Sequence, residues 1–282
     1  MIIWLASYPK SGNTLLRSML SSYFFSDDGI FNFDLLNNIK QFPDNSAFKN
    51  LGVDTVNDKE VVKNYIKVQE EINKRDGKSI RFLKTHSALN DINGHKFTNL
   101  KNTFGAIYIV RDPRKIVNSY ANHSNISIEE AKKWILNIRT LGGKTDPLNK
   151  TIIHAGSWSS NYNSWKEFKK INKYLLIKYE DLVFEPEKTF LNIINFVYKL
   201  SNLKLSIDKI KLKNTLKTTS FEYLQNLEKK NNFVESTSVA GEREVKFFKY
   251  GVKNDGIKNI PGEIKKDIEN LLKKEMEELG YL

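Results

Sequence analysis

Between an apolar run and a helical pattern the sequence reads Ser7-Tyr8-Pro9-Lys10-Ser11-Gly12-Asn13-Thr14. A glycine-bearing turn so placed aims backbone N–H groups and the positive end of a helix at an anion, and Lys10 adds a full charge. The chemistry this suits is phosphate binding, with Ser11, Gly12, Asn13 and Thr14 as the cradle. The turn is not a Walker A motif. Asn13 stands where that motif has its lysine, Ser7 where it has its first glycine, and the lysine has moved to Lys10. Such a loop can hold a nucleotide 5′-phosphate without being built for a magnesium-bound γ-phosphate. Taken alone, it fits equally well a plain connector between a strand and a capped helix.

A second group of reactive residues closes the run Phe82-Leu83-Lys84-Thr85-His86. A histidine at a strand's carboxyl end can face a ligand, and imidazole titrates near neutral pH, which suits a general base. Lys84, two residues earlier, falls on the same strand face. A third group follows the run Ile107 to Val110: Arg111-Asp112-Pro113, with Ser119 two turns along the next helical pattern. Arg111 can hold a phosphate with two parallel hydrogen bonds, or pair with Asp112 instead. Tyr179 follows a further apolar run and suits either a ligand contact or packing. The four histidines (86, 95, 123 and 154) show no metal-ligand spacing, so no metal site is expected.

The elements that must position these residues follow from hydrophobic period and punctuation. Strands are predicted at 2–6, 80–85, 104–110 and 174–178, and helices at 14–25, 58–75 and from Arg111-Asp112-Pro113 to Asn122. Further helices are predicted at 127–141, 156–171, 186–198 and 261–279, while 26–55 reads as irregular with short helical pieces. Strands alternating with helices argue for an α/β fold, a central parallel sheet flanked by helices on both faces. Ligands in such sheets bind at the carboxyl ends of strands, where all the groups above fall. No repeat or long linker divides the 282 residues, so 1–282 is expected to be a single domain.

The formal net charge of +12 calls for an anionic partner, but the lysines are spread along the chain and form no tract with interleaved aromatics. No nucleic-acid site is therefore expected. The absence of cysteine excludes disulfides, thiolate metal sites and a cysteine nucleophile. The apolar run starting at Ile2 has no basic segment before it and no small-residue cleavage site after it, so no secretory leader is predicted. No apolar stretch approaches the roughly 20 residues of a membrane helix. The cytoplasm is the expected compartment. Trp134, Trp158 and Trp165 are expected in the core rather than lining a pocket.

The segment Tyr8 to Leu15 resembles the 5′-phosphosulfate loop of the cytosolic-type sulfotransferases, Tyr-Pro-Lys-Ser-Gly-Thr-Thr-Trp, with Asn13 for Thr and Leu15 for Trp. Four further segments resemble that family in the same order: Lys84-Thr85-His86, the strand and helix around Arg111 and Ser119, Tyr179-Glu180-Asp181-Leu182, and Thr219-Ser220-Phe221. A weaker likeness spans Lys249-Tyr250-Gly251, where the family has Arg-Lys-Gly. The resemblance implies a P-loop-like nucleotide-binding architecture. It also implies transfer of a sulfuryl group from 3′-phosphoadenosine 5′-phosphosulfate (PAPS) to an acceptor hydroxyl or amine, without metal. His86 would then be the base, with Lys10 and Lys84 stabilising charge on the leaving nucleotide. Arg111, Ser119, Lys249 and Gly251 would meet the 3′-phosphate, and Tyr179, Thr219 and Phe221 the adenine. The rival readings are a P-loop small-molecule kinase using ATP and magnesium, and a basic nucleic-acid-binding protein. Asn13 at the Walker lysine position argues against the first.

Overall fold

The computed structural model describes residues 1–75, 80–143, 151–230, 233, 247–248 and 256–282. Its strands are β1 (Ile2–Ala6), β2 (Arg81–Thr85), β3 (Asp91–Ile92), β4 (His95–Lys96), β5 (Thr103–Val110), β6 (Thr140–Leu141), β7 (Ile153–His154) and β8 (Tyr174–Lys178). The four longer strands form one parallel sheet in the order β2-β1-β5-β8, and the two-residue strands form the antiparallel pairs β3–β4 and β6–β7. All five residues of β1 are buried. That is the expected state of a parallel strand covered on both faces.

Side chains leave each strand alternately to the two faces. Ile2, Trp4 and Ala6 of β1 join Ala106, Tyr108 and Val110 of β5 in one core. Ile3 and Leu5 join Ile107 and Ile109 in the other. On the second face lie α1 (Asn13–Phe25), α9 (Pro186–Leu200) and α10 (Lys209–Thr218), which contribute Leu16, Phe190 and Leu212. The first face is covered by short α2 (Asn45–Lys49) and α3 (Asp58–Lys63), then α4 (Tyr65–Lys74), α5 (Pro113–Ser124), α6 (Ile128–Leu136) and α7 (Trp158–Trp165). Also packed there are α12 (Gly262–Leu271) and α13 (Lys273–Glu278). Between them in sequence come α8 (Tyr179–Phe184), directly after β8, and α11 (Phe221–Lys230).

Local chemistry starts the helices that matter for the site. Asp112 caps α5 by accepting from Arg114 N, with Pro113 in the first turn, where a missing N–H is harmless. Ser157 and Ser160 form a reciprocal capping box at the start of α7.

The predicted helix 127–141 ends at Leu136 instead. Arg139 exchanges backbone hydrogen bonds with Gly156 (3.4 and 3.1 Å), which pulls the chain into β6 beside β7 and leaves Ile138 83% exposed. The predicted helix 58–75 breaks at Asn64, whose side-chain amide donates to Glu60 O, and 261–279 breaks at Leu272. Residues 166–171 continue α7 as a 3₁₀ turn. Trp158 and Trp165 are fully buried, as expected of core residues, while Trp134 packs at the core's edge.

Candidate active site

The strand order places the sequence-predicted residues in a row along one edge of the sheet. His86 follows β2, the 7–14 loop follows β1, Arg111 follows β5 and Tyr179 follows β8. Register brings the ends into two steps: β1 and β2 end together, Ala6 opposite Thr85, and β5 and β8 end together two residues further on, Val110 opposite Lys178.

Lys10 (φ 65°) and Gly12 (φ 98°) both take the left-handed backbone, and Gly12 is the N-cap of α1. For lysine that conformation costs about 1–2 kcal/mol. Strain of this kind is retained where the surrounding structure enforces it, and it gathers at ligand sites. The glycine has a second reason: a Cβ there would lie 2.2 Å from Tyr179 Cδ2. Asn13 braces the turn, its amide donating to Leu5 O (2.9 Å) and Ser7 Oγ (3.1 Å). The first N–H groups of α1 have no intrahelical acceptor. Ser11 Oγ and Asn13 Oδ1 are buried without a hydrogen-bond partner. Thr14 is also buried.

Arg111 reaches back across the sheet and donates from Nη1 to Lys10 O at 3.1 Å. Its guanidinium sits 4.5 Å from the Tyr179 ring centroid, and its buried Nε has no partner. The alternative pairing with Asp112 is not made, because Arg114 takes that carboxylate. Tyr179 is thus both a packing residue against Gly12 and one wall of the loop.

The His86 ring is anchored through Nδ1, 2.9 Å from Ser7 O and 3.2 Å from Ser7 Oγ. A carbonyl only accepts, so Nδ1 carries a proton, which in the neutral ring leaves Nε2 as the acceptor. That is the tautomer a general base needs. Lys84 is 7% exposed, and the alternation that sends Phe82 toward α1 sends Lys84 to the same side.

Ser119 is half-buried on α5. Thr219 closes α10 and donates to Thr215 O (2.7 Å), while Phe221 opens α11 and packs on the Phe248 ring. Lys249 and Gly251 lie outside the described residues.

Several residues with no role assigned from the sequence complete the surroundings. Asn161, fully buried on α7, donates to His86 O (3.0 Å) and Ala155 O (2.8 Å) and accepts from Tyr108 Oη (2.8 Å). It fixes the backbone of the candidate base. Burial pushes the Tyr8 hydroxyl's pKa well up, with Tyr120 adding to the push, so Tyr8 stays a donor and bonds Trp134 O at 2.7 Å. Phe247 places its ring 4.3 Å from Lys10 Nζ, and Glu228 accepts from the backbone N–H groups of Phe247 and Phe248. The polar signal that could have drawn notice to Asn161 is an asparagine between Trp158 and Tyr162 in an otherwise core-facing run. Among the described residues no three His, Asp or Glu side chains gather as metal ligands, and no helix is long and apolar enough to cross a membrane.

A parallel sheet with a glycine-bearing loop between its first strand and first helix defines a mixed α/β protein of P-loop-like architecture. The sequence model of the sulfotransferase domain matches residues 2–280, and the chain belongs to that family of enzymes. Sulfotransferase 2A6 of Mus musculus is 28% identical over 120 residues, a match spanning 42% of this chain and 38% of that relative. Mouse sulfotransferase SULT7A1 complexed with PAP superposes with a TM-score of 0.59 at 21% identity, covering 98% of this chain and 84% of that one. Retinol dehydratase in complex with androsterone and PAP also reaches 0.59, at 15% identity, over 98% of this chain and 80% of its own. At these identities the two structures speak for the fold.

Proposed function

We propose that residues 1–282 form one sulfotransferase domain that moves a sulfuryl group from PAPS to an acceptor hydroxyl or amine. What supports this reading is the row of strand ends. The left-handed loop and Arg111 are joined at 3.1 Å, Ser11 Oγ and Arg111 Nε are buried without partners, and the His86 ring is held beside them by Ser7. Buried donors and acceptors of this kind are costly unless a ligand satisfies them. Two solved relatives of the same fold hold PAP, the nucleotide that sulfuryl transfer leaves behind.

In the proposed reaction, His86 Nε2 takes the acceptor's proton as the acceptor atom closes on sulfur. The new bond to sulfur forms while the bond from sulfur to the bridging phosphate oxygen breaks, and the electron pair leaves with 3′-phosphoadenosine 5′-phosphate (PAP). Lys10 and Lys84 stabilise the charge growing on that oxygen, where preorganised donors contribute most. Ser11 to Thr14 hold the 5′-phosphate, Arg111, Ser119, Lys249 and Gly251 the 3′-phosphate, and Tyr179, Thr219 and Phe221 the adenine. Position at the strand ends supports the roles of Lys10 to Thr14, Lys84, His86, Arg111 and Tyr179, while those of Ser119, Thr219, Phe221, Lys249 and Gly251 rest on the family resemblance.

The test is thermal stabilisation by PAP, compared with ATP plus magnesium and with AMP. A ligand at 100 times its Kd adds about 2.7 kcal/mol to the folded state. Stabilisation by PAP alone is the expected result. Stabilisation by ATP with magnesium alone would turn the reading into a kinase, and a flat response to all three would remove the donor site.

A further inference from the structure

On the first face of the sheet stands a cation that the reaction above does not use. The Arg139 guanidinium lies 3.7 Å from the Trp134 ring centroid and 5.8 Å from that of Tyr120. Its Nη1 is buried without a hydrogen-bond partner, and so is the hydroxyl of Tyr120, a residue only 4% exposed. None of the ion pairs among the described residues involves Arg139. Burial raises the Tyr120 pKa while Arg139 opposes the rise, which leaves the hydroxyl a neutral donor next to a full positive charge.

Two routes tie this pair to the candidate base. The Tyr8 ring meets Tyr120 edge-on at 6.2 Å, and Tyr8 follows Ser7, which holds the His86 ring. On the other route, Arg139 is bonded through its backbone to Gly156, whose built Cβ would sit 3.6 Å from Ala88 Cβ, two residues past His86. Ala88 N also donates to His154 O of the same hairpin.

A guanidinium stacked on Trp134 could be no more than a cap on the core. A cap gains nothing from leaving Nη1 and a tyrosine hydroxyl buried and unsatisfied, and such groups are costly until paired. The ring instead fixes the guanidinium plane, and a planar fork of donors matches an oxyanion. We propose that Arg139 and the Tyr120 hydroxyl form an oxyanion-binding subsite of the acceptor pocket. The acceptor is then a hydroxyl- or amine-bearing molecule that also carries a carboxylate or similar oxyanion. This deepens the sulfotransferase reading and rests on it for the word acceptor.

The test is calorimetric titration of the full chain saturated with PAP, using 4-hydroxybenzoate and 4-hydroxyphenylacetate, each against its neutral amide. The acids should bind at least tenfold more tightly than the amides. That preference should vanish in Arg139→Gln, survive in part in Arg139→Lys and shrink severalfold in Tyr120→Phe, with PAP affinity unchanged in all three. Tyr120→Phe removes one oxygen and carries the test if the Gln variant fails to fold. Equal binding of acids and amides, no binding of either, or a preference that survives Arg139→Gln would overturn the proposal. A loss of PAP affinity in Arg139→Gln would overturn it too, by moving Arg139 into the donor site. If wild type does not bind PAP at all, the donor reading fails by itself. The same titrations without PAP then still report whether Arg139 selects oxyanions.

Discussion

At the scale of single residues, His86 and Gly12 make the sharpest claims. The Ser7 carbonyl sets the His86 tautomer, and Asn161 holds its backbone from the other side. His86→Ala should lose about 10²-fold or more in turnover, the ordinary contribution of a positioned base, while PAP affinity stays within twofold. Turnover close to wild type would remove His86 from the mechanism. Gly12 is constrained twice, by φ 98° and by the Tyr179 ring 2.2 Å from any Cβ. Gly12→Ala should destabilise the fold by about 1–3 kcal/mol in urea denaturation and weaken PAP binding by more than tenfold. An alanine variant with wild-type PAP affinity would show that the loop can open without cost to the site.

Among elements, α5 is held at both of its neighbours by one side chain. Arg114 bonds the capping carboxylate of Asp112, Glu269 on α12 and Tyr281 O near the chain's end. The Arg114 and Asp112 side chains are nearly buried, so truncating the arginine strands an acid in the interior. Breaking such a pair from one side costs about 3 kcal/mol or more. Arg114→Ala should therefore lose roughly that much in urea denaturation, whereas a loss under about 0.5 kcal/mol is what an exposed surface charge would give. Because α5 begins directly after Arg111, the same variant should weaken PAP binding more than its stability loss alone explains. The β6–β7 hairpin that follows Arg139 is held by backbone pairing of Arg139 with Gly156 and by the His154 side chain, whose Nε2 lies 2.8 Å from Asp58 Oδ1.

For the molecule as a whole, the C-terminal segment closes the first face of the sheet. Ile264, Ile268, Leu272, Met276 and Leu279 are all buried there. Glu278 fastens this end to the chain's middle, accepting from Lys166 (2.8 Å) and Tyr162 (3.0 Å). Its pKa is lowered, first by the hydrogen bond from Lys166, with burial opposing and Tyr162 assisting. A carboxylate whose folded pKa lies below its unfolded value stabilises above the unfolded value and loses that contribution as pH falls through the folded one. In Glu278→Gln the melting temperature should drop modestly at pH 7, since the side chain is 39% exposed. The gap from wild type should close on acidification below the ordinary carboxylate value of 4.5. A gap that stays constant down to pH 3 would mean that packing, not charge, is what the residue supplies.

Much of this protein was legible along the chain because its signals are local. The apolar runs at 2–6 and 174–178, the glycine turn before α1, and the Asp112-Pro113 helix start each depend on neighbours within a few residues. The family likeness was carried by those same short segments, at the ends of strands where a parallel sheet gathers ligand contacts. The antiparallel hairpin at Arg139, the helices α10 and α11, and the break at Leu272 were not legible. The hairpin is set by backbone pairing between residues 12 to 17 positions apart, and α10 by hydrogen bonds of Thr215 and Thr218 with Ser22 and Phe31. Arg111 on Lys10, Asn161 under His86, and Tyr8 against Tyr120 join residues 75 to 112 positions apart. The order of residues set which groups would stand at strand ends. Only strand order and register, decided by burying two faces of one sheet at once, determined which of them meet.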